Sequence, residues 1–262
     1  MASCFDPPKI ALCIGHPGHE LHVHGWVRQV QPIAYVLTDG SGPDRQPRIA
    51  TTSSILHAAG ARPGTVYGAF SDRQFYEMIL RKDPEPFTRL ARKLADGWID
   101  ADVAVVAGDM LEGFNTTHDL CRMLINAACE YCRVSGRRAI ANFEFPLEGM
   151  IHRNPVPEDV VVELPEAAFL AKRQAALEGY PELAADVNRL IAMHGEAPFR
   201  REILQAAGGP AGLEWRGGQP PYYERYGAMR IAEGHYHELI THREHIQPIA
   251  QALWEWACRG GA

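Results

Sequence analysis

The sequence predicts an α/β fold: a Rossmann-like three-layer sandwich with a mostly parallel sheet and helices on both faces. Three observations carry this reading. Short apolar runs alternate with helical patterns as far as Phe145, the order that builds a parallel sheet with right-handed crossovers. The runs IALCI, IAYVLT and DVAVVA are apolar almost throughout, as strands covered on both faces are. A chain of 262 residues, 46% hydrophobic, is long enough to bury a substantial core in one such domain.

In order, Lys9–Gly15 reads as a buried strand, with Ile10, Leu12 and Ile14 leading to Gly15. Helical character begins near His19 and continues to about Val30. Ile33–Thr38 is a second strand ending in the turn signal DGSGP. Ile49–Ala59 is helical and stops at Gly60. Gly64–Phe70 is a short strand, and Gln74–Leu80 and Phe87–Ala95 are helices. Asp102–Ala107 is the continuous apolar strand. A helix over Leu120–Val134 and a strand over Arg138–Phe145 follow.

After Pro146 the texture changes. Glu148–Pro157 reads as a loop, and Glu166–Gly179 and Glu182–His194 as amphipathic helices joined at Tyr180-Pro181. GGPAGLEWRGGQPP, 208–221, is a Gly/Pro-rich surface flap. HYHELIT has the alternation of an edge strand, with His235 and His237 on one face. His245–Cys258 closes the chain as a helix. Residues 1–262 are read as one α/β domain, with 146–262 a C-terminal part that carries the helical excursion and the flap.

A net charge of −6 with no Lys/Arg run argues against strong nucleic-acid binding, which needs a basic footprint. No apolar run reaches the roughly 20 residues of a membrane span. MASCFDPPKI lacks a basic segment followed by an apolar one, so the expected compartment is the cytoplasm. Self-association into a homo-oligomer stays open. Cys129 and Cys132 have C-x-x-C spacing, but they fall on one helical stripe with Cys121, Leu124, Ile125 and Ala128. They are read as packing residues.

In open α/β sheets ligands bind at the carboxyl ends of the strands. GHPGHE, TDGSG and GDMLEGFNTTHD all occupy such ends. Together they hold His16, His19, Glu20, Asp39, Asp109, Glu112, His118 and Asp119. His22 and His24 lie on neighbouring helical faces and are not expected as ligands. Thr117 reads as the cap of the following helix. The histidines at 235, 237, 242 and 245 form a second cluster, read as structural, with His245 a cap or pocket-lining residue.

GHPGHE at the first strand end, TDG at the second, the distal EGFNTTHD and the ending HYHELITHREHIQPIAQAL together resemble the PIG-L/LmbE-like zinc-dependent N-deacetylases. In that family the first strand ends in AHPDDE. Its His and second Asp bind zinc with a distal His, and its first Asp is the general base. The resemblance implies His16, His19 and His118 as ligands of zinc or another divalent transition metal. Three protein ligands plus water is a standard catalytic arrangement. It implies Arg48 and Asp72 as substrate contacts, joined by Asn115, and Glu20 as the residue that orients the motif.

Two positions depart from the family pattern. Gly18 stands at the base position, and Phe114 replaces a tyrosine that would stabilise the oxyanion. A general base contributes about 10²–10⁴-fold, so the reading requires a replacement. Asp119, beside the proposed ligand, ranks first, followed by Asp109, Glu112 and Asp39. The expected activity is removal of an acetyl or similar acyl group from an amino sugar or related small molecule. The alternatives are a non-catalytic relative that binds a sugar, or altered chemistry on a nucleotide sugar.

Overall fold

The computed structural model of the chain describes residues 8–42, 46–148 and 155–260. Strand β1 (Lys9–Ile14) lies near the middle of a seven-stranded sheet. A 3₁₀ turn (His19–Val23) and helix α1 (His24–Val30) lead to β2 (Ile33–Thr38), and α2 (Ile49–Ala58) leads to β3 (Arg62–Phe70). Helices α3 (Asp72–Leu80) and α4 (Glu85–Asp100) precede β4 (Val103–Asp109), and α5 (Thr116–Val134) precedes β5 (Ala141–Phe145). Then come β6 (Val160–Glu163), α6 (Glu166–Gly179), α7 (Ala184–His194), the one-turn α8 (Ala197–Arg200) and β7 (Arg201–Ala206). Helix α9 (Tyr222–Ala232), a π turn (His242–Ile246) and α10 (Gln247–Cys258) complete the order.

The strand order is β3-β2-β1-β4-β5-β7-β6. The first five strands are parallel, and β7 and β6 join antiparallel at the edge. This is the expected α/β fold with a mostly parallel sheet. Alternation along each strand divides the core between two faces. Ala11, Cys13, Tyr35 and Leu37 pack under residues of α3, α4, α5 and α10. Leu12, Ile14, Ala34 and Val36 pack against Trp26, Val27, Leu56 and Phe169 of α1, α2 and α6. The chain leaves β1 in one direction for β2 and later returns to its other side with β4. The crevice between the carboxyl ends of β1 and β4 is therefore the topological switch point, where open sheets bind ligands.

Several bounds move from the sequence reading. α4 runs from Glu85 to Asp100 rather than over Phe87–Ala95. α5 begins at Thr116 because Asn115, not Thr117, caps it: the Asn115 side chain accepts the Thr117 N–H. β5 starts at Ala141 rather than Arg138. Residues 235–241 are not a strand. His235 and His237 are exposed there, and Thr241 caps the π turn by accepting the Glu244 N–H. His242 and His245 are buried in that turn. β6, β7 and α9 are elements the sequence reading did not contain. β6 has four residues and α9 buries only Tyr223 and Gly227, so neither offers a period long enough to read. The expected loop at Glu148–Pro157 falls largely outside the described residues, as does Cys4. Cys129 and Cys132 are buried free thiols on α5. Among the described residues no helix is long and apolar enough to cross a membrane.

Candidate active site at the switch point

β1 delivers Gly15 and His16 to the crevice. The Gly15 N–H donates to Asp109 Oδ2 at 2.7 Å. A Cβ at Gly15 would stand 3.0 Å from that same oxygen, so the approach of β1 to the end of β4 needs glycine. Gly18 sits at φ +106°, a conformation L side chains rarely adopt. It turns the chain into the 3₁₀ turn that begins with His19. The Gly18 N–H donates to Glu20 Oε2 at 2.8 Å. Tyr180 Oη donates to Glu20 Oε1 at 2.6 Å and lies 2.6 Å from Thr52 Oγ1. Glu20 thus ties the turn to Tyr180, and burial raises its carboxyl above the usual range.

The fold brings His16, His19 and His118 together. Their rings meet edge to face, with centroids 5.4 Å apart for His16–His19, 5.2 Å for His16–His118 and 4.5 Å for His19–His118. His118 comes from the first turn of α5, across the crevice from the β1 loop. His22 is exposed and His24 is buried in α1. Burial holds His19 well below the ordinary imidazole range, reinforced by the charges of His16 and Arg48. Burial likewise lowers His118, reinforced by His19 and His16. Both rings are neutral at pH 7 and keep a lone pair.

Two of the rings are backed by carboxylates. His16 Nδ1 lies 2.8 Å from Thr38 Oγ1 and 3.0 Å from Asp72 Oδ1. Thr38 Oγ1 donates its own proton to the Gly15 carbonyl at 3.0 Å, so His16 Nδ1 is the donor and Nε2 carries the lone pair. Nε2 is buried without a partner. His19 Nδ1 lies 2.9 Å from Asp109 Oδ2, which leaves its Nε2 as the free nitrogen by the same argument. His118 Nδ1 is also buried and unpartnered.

The other expected site residues have structural partners. Asp72, expected at the substrate, orients His16 and accepts the Gly42 N–H at 2.7 Å. Burial pushes its carboxyl up, but the His16 contact and the Gly42 hydrogen bond outweigh this and hold it well below the usual range. Arg48 Nε donates to the Gly40 carbonyl at 2.9 Å, and its guanidinium lies 3.6 Å from Glu182. Asn115 is the helix cap. Asp39 Oδ1 accepts the Ser41 N–H. Glu112 Oε2 accepts the Leu147 and Glu148 N–H groups. Asp119 Oδ1 accepts the Glu112 and Gly113 N–H groups, which turns the carboxylate toward that loop. Burial raises Asp119 to about 7, and the charge that acts on it is Glu112 rather than an imidazole. Among the carboxylates considered as a replacement base, Asp109 is the one with a hydrogen bond to a ring of the cluster.

Sequence reasoning missed Thr38, Tyr180 and Arg122. Arg122 is fully buried. It donates to the Asp109 carbonyl at 2.7 Å, to Asn142 Oδ1 at 2.8 Å and to the Phe143 carbonyl at 3.0 Å, which fixes the end of β4 against α5 and β5. The sequence signal was weak, because Arg122 falls beside the apolar stripe on a face shared with His118 and Asn126.

Three imidazoles suit zinc or another divalent transition metal. Rings bound to one tetrahedral ion at metal–nitrogen distances of about 2.0–2.1 Å have centroids about 5 Å apart, the spacing found here. Among the described residues no group of three or more His, Cys, Asp or Glu side chains is placed so that it could hold a metal ion. The imidazole donors, their ring spacing and the unpartnered nitrogens of His16 and His118 suit such an ion in chemistry, but the side chains as placed do not form a coordination site.

No protein-family model matches the chain, and no curated protein matches it significantly by sequence. Solved structures do. The antimicrobial reagent A40926 pseudoaglycone deacetylase Dbv21 is similar with a TM-score of 0.51 and 13% identity, over 77% of this chain and 97% of that one. The zinc-inhibited form of teicoplanin deacetylase Orf2 has a TM-score of 0.49 and 11% identity, over 76% and 99%. The conserved protein TT1542 from Thermus thermophilus has a TM-score of 0.49 and 14% identity, over 81% and 99%. The likeness to the A40926 deacetylase shows a shared α/β fold.

Proposed function

We propose that this chain is a metal-dependent amidohydrolase that removes an acetyl or similar acyl group from an amino sugar or related small molecule. The observation that carries the reading is the cluster of three imidazoles at the switch point, two of them backed by carboxylates. The motif resemblance to PIG-L/LmbE-like deacetylases and the fold shared with a deacetylase support it.

His16, His19 and His118 would hold the ion, with Asp72 and Asp109 as positioning residues for the first two. Bound there, zinc or a similar ion would supply Lewis acidity toward the amide carbonyl and the attacking water. Asp109 is also the proposed acceptor of the proton that the water releases. Its Oδ1 has no partner, and burial pushes its carboxyl up, toward the range that suits a general base near neutral pH. Asp119, ranked first from the sequence, holds the 112–113 loop through Oδ1 and keeps Oδ2 without a partner, which leaves it the alternative acceptor. Gly18 fits this division, since its backbone turns the motif while proton transfer is handled from β4.

Elemental analysis of protein purified without a His tag tests the metal. The expected content is about one divalent transition metal per chain, abolished in His19→Ala; metal-free wild type defeats the assignment. A panel of N-acetylated sugars tests the reaction. Metal without turnover of any acyl amide would favour a sugar-binding relative that has lost catalysis.

A further inference from the structure

An exposed aromatic ladder starts at the site loop and continues along the outer face of α9. Phe114, Tyr222 and Tyr226 are 36%, 41% and 37% exposed. Phe114 and Tyr222 stack with centroids 4.6 Å apart and planes 3° from parallel. Tyr222 and Tyr226, one helical turn apart, have centroids 5.8 Å apart at 20°. Met229, also exposed, extends the strip. Arg225 lies 5.8 Å over the Tyr222 ring and Arg230 6.0 Å over the Tyr226 ring. Scattered exposed apolar residues are ordinary, but a contiguous row of stacked rings marks an interaction surface.

The ladder is anchored to the candidate site. The Tyr222 and Tyr223 N–H groups both donate to the Gly113 carbonyl, at 2.7 and 3.4 Å. Asp119 holds the Gly113 N–H from α5. Phe114 precedes His118 by four residues, so their Cα atoms lie within about 14 Å however the chain runs. The ladder therefore begins on the loop that leads into the helix carrying His118.

We propose that the ladder is an accessory subsite that stacks a flat ring on the non-reacting part of the substrate, an aryl aglycone. This deepens the amidohydrolase reading and rests on it. Stacked rings with two side-chain torsions are already ordered, so they bind at low entropic cost. Stacking one flat ring on an aromatic side chain strengthens binding by about tenfold or more. Arg225 lies over the Tyr222 ring, and its charge favours a ring that is neutral or acidic over a basic one.

The test compares p-nitrophenyl N-acetyl-β-glucosaminide with free N-acetylglucosamine on the metal-loaded protein. Wild type should show a kcat/KM for the aryl glycoside at least about tenfold higher. Tyr222→Ala should cut that ratio by about tenfold, and Tyr222→Phe, which keeps the ring, should preserve it. A ratio unchanged in Tyr222→Ala overturns the subsite. Should wild type turn over neither compound, the amidohydrolase reading fails, and the ladder is then judged by calorimetric titration with p-nitrophenyl glucosaminide. Binding that weakens in Tyr222→Ala and holds in Tyr222→Phe supports it. Equal affinity in Tyr222→Ala, or wild-type binding no tighter than that of free glucosamine, overturns it.

Discussion

Asp109 and Glu202 are carboxylates on strands of one sheet, both with side chains sealed from solvent, and the fold treats them differently. Glu202 is saturated. Its Oε1 accepts from the Gly25 N–H at 3.0 Å and Lys172 Nζ at 2.8 Å, and its Oε2 accepts from the Trp26 N–H at 2.8 Å. Its charge sits at the first turn of α1, where amides are free and the helix dipole favours an anion. Asp109 commits one oxygen to Gly15 and His19 and leaves the other buried without a partner. An orphaned buried acceptor costs about 1–3 kcal/mol. His16 Nε2, His118 Nδ1 and Asp119 Oδ2 are orphans on the same side of the fold. Burial around Glu202 completes the architecture; burial around Asp109 leaves valences unused where chemistry is proposed.

The sharpest test of that contrast is Glu202→Ala. The substitution removes the carboxylate partner of Lys172, which keeps only the His22 carbonyl at 3.3 Å, and strands two helix N–H groups without their acceptor. Removing one partner of a buried pair costs about 3–5 kcal/mol, and the docking of β7, α1 and α6 should weaken together. Urea denaturation reads the loss. A change below about 1 kcal/mol would mean that Glu202 is no better satisfied than Asp109, and the contrast would fail.

Asp109→Asn should behave in the opposite way. The amide keeps the size and removes a poorly satisfied buried charge. Stability should stay within about 1 kcal/mol of wild type or rise, as at sites where function and stability are traded against each other. Turnover should fall about a hundredfold or more. Metal content divides the two proposed roles: retention with slow turnover points to proton transfer, and weakened retention points to the orientation of His19, worth about 10–100-fold. An unaltered rate removes Asp109 from the site.

The sheet was legible where the strands were. IALCI, IAYVLT and DVAVVA are buried between two helical layers, so burial on both faces writes itself as uninterrupted hydrophobicity, and the structure returns them as β1, β2 and β4. The antiparallel edge was not legible. VVVE is too short to show a period, and REILQA carries the buried Glu202, which reads as a surface charge until Lys172 and the α1 amides are seen around it. The histidines were legible because three strand ends had to face one crevice. The roles of the acids were not, because sequence proximity says nothing about direction. Asp119 follows His118, yet one step along a helix turns the side chain by about 100°, toward the 112–113 loop.

Asp119 stands between the two carboxylates compared above. Like Glu202 it caps backbone amides, through Oδ1, and like Asp109 it keeps an orphaned oxygen, Oδ2. Burial raises its pKa from the ordinary 3.8 to about 7. The sign follows from proton counting. Between those two values the folded state holds a proton that the unfolded chain has released, so stability falls as pH rises through that window and levels off above it. The slope from one group is at most about 1.4 kcal/mol per pH unit. Asp119→Asn keeps the acceptor for the Glu112 and Gly113 amides and removes the titration. Urea midpoints taken from pH 4.5 to 7.5 should therefore decline less steeply in Asp119→Asn than in wild type, with the two proteins closest at the acid end. Parallel curves would mean that Asp119 titrates normally and is as well satisfied as Glu202.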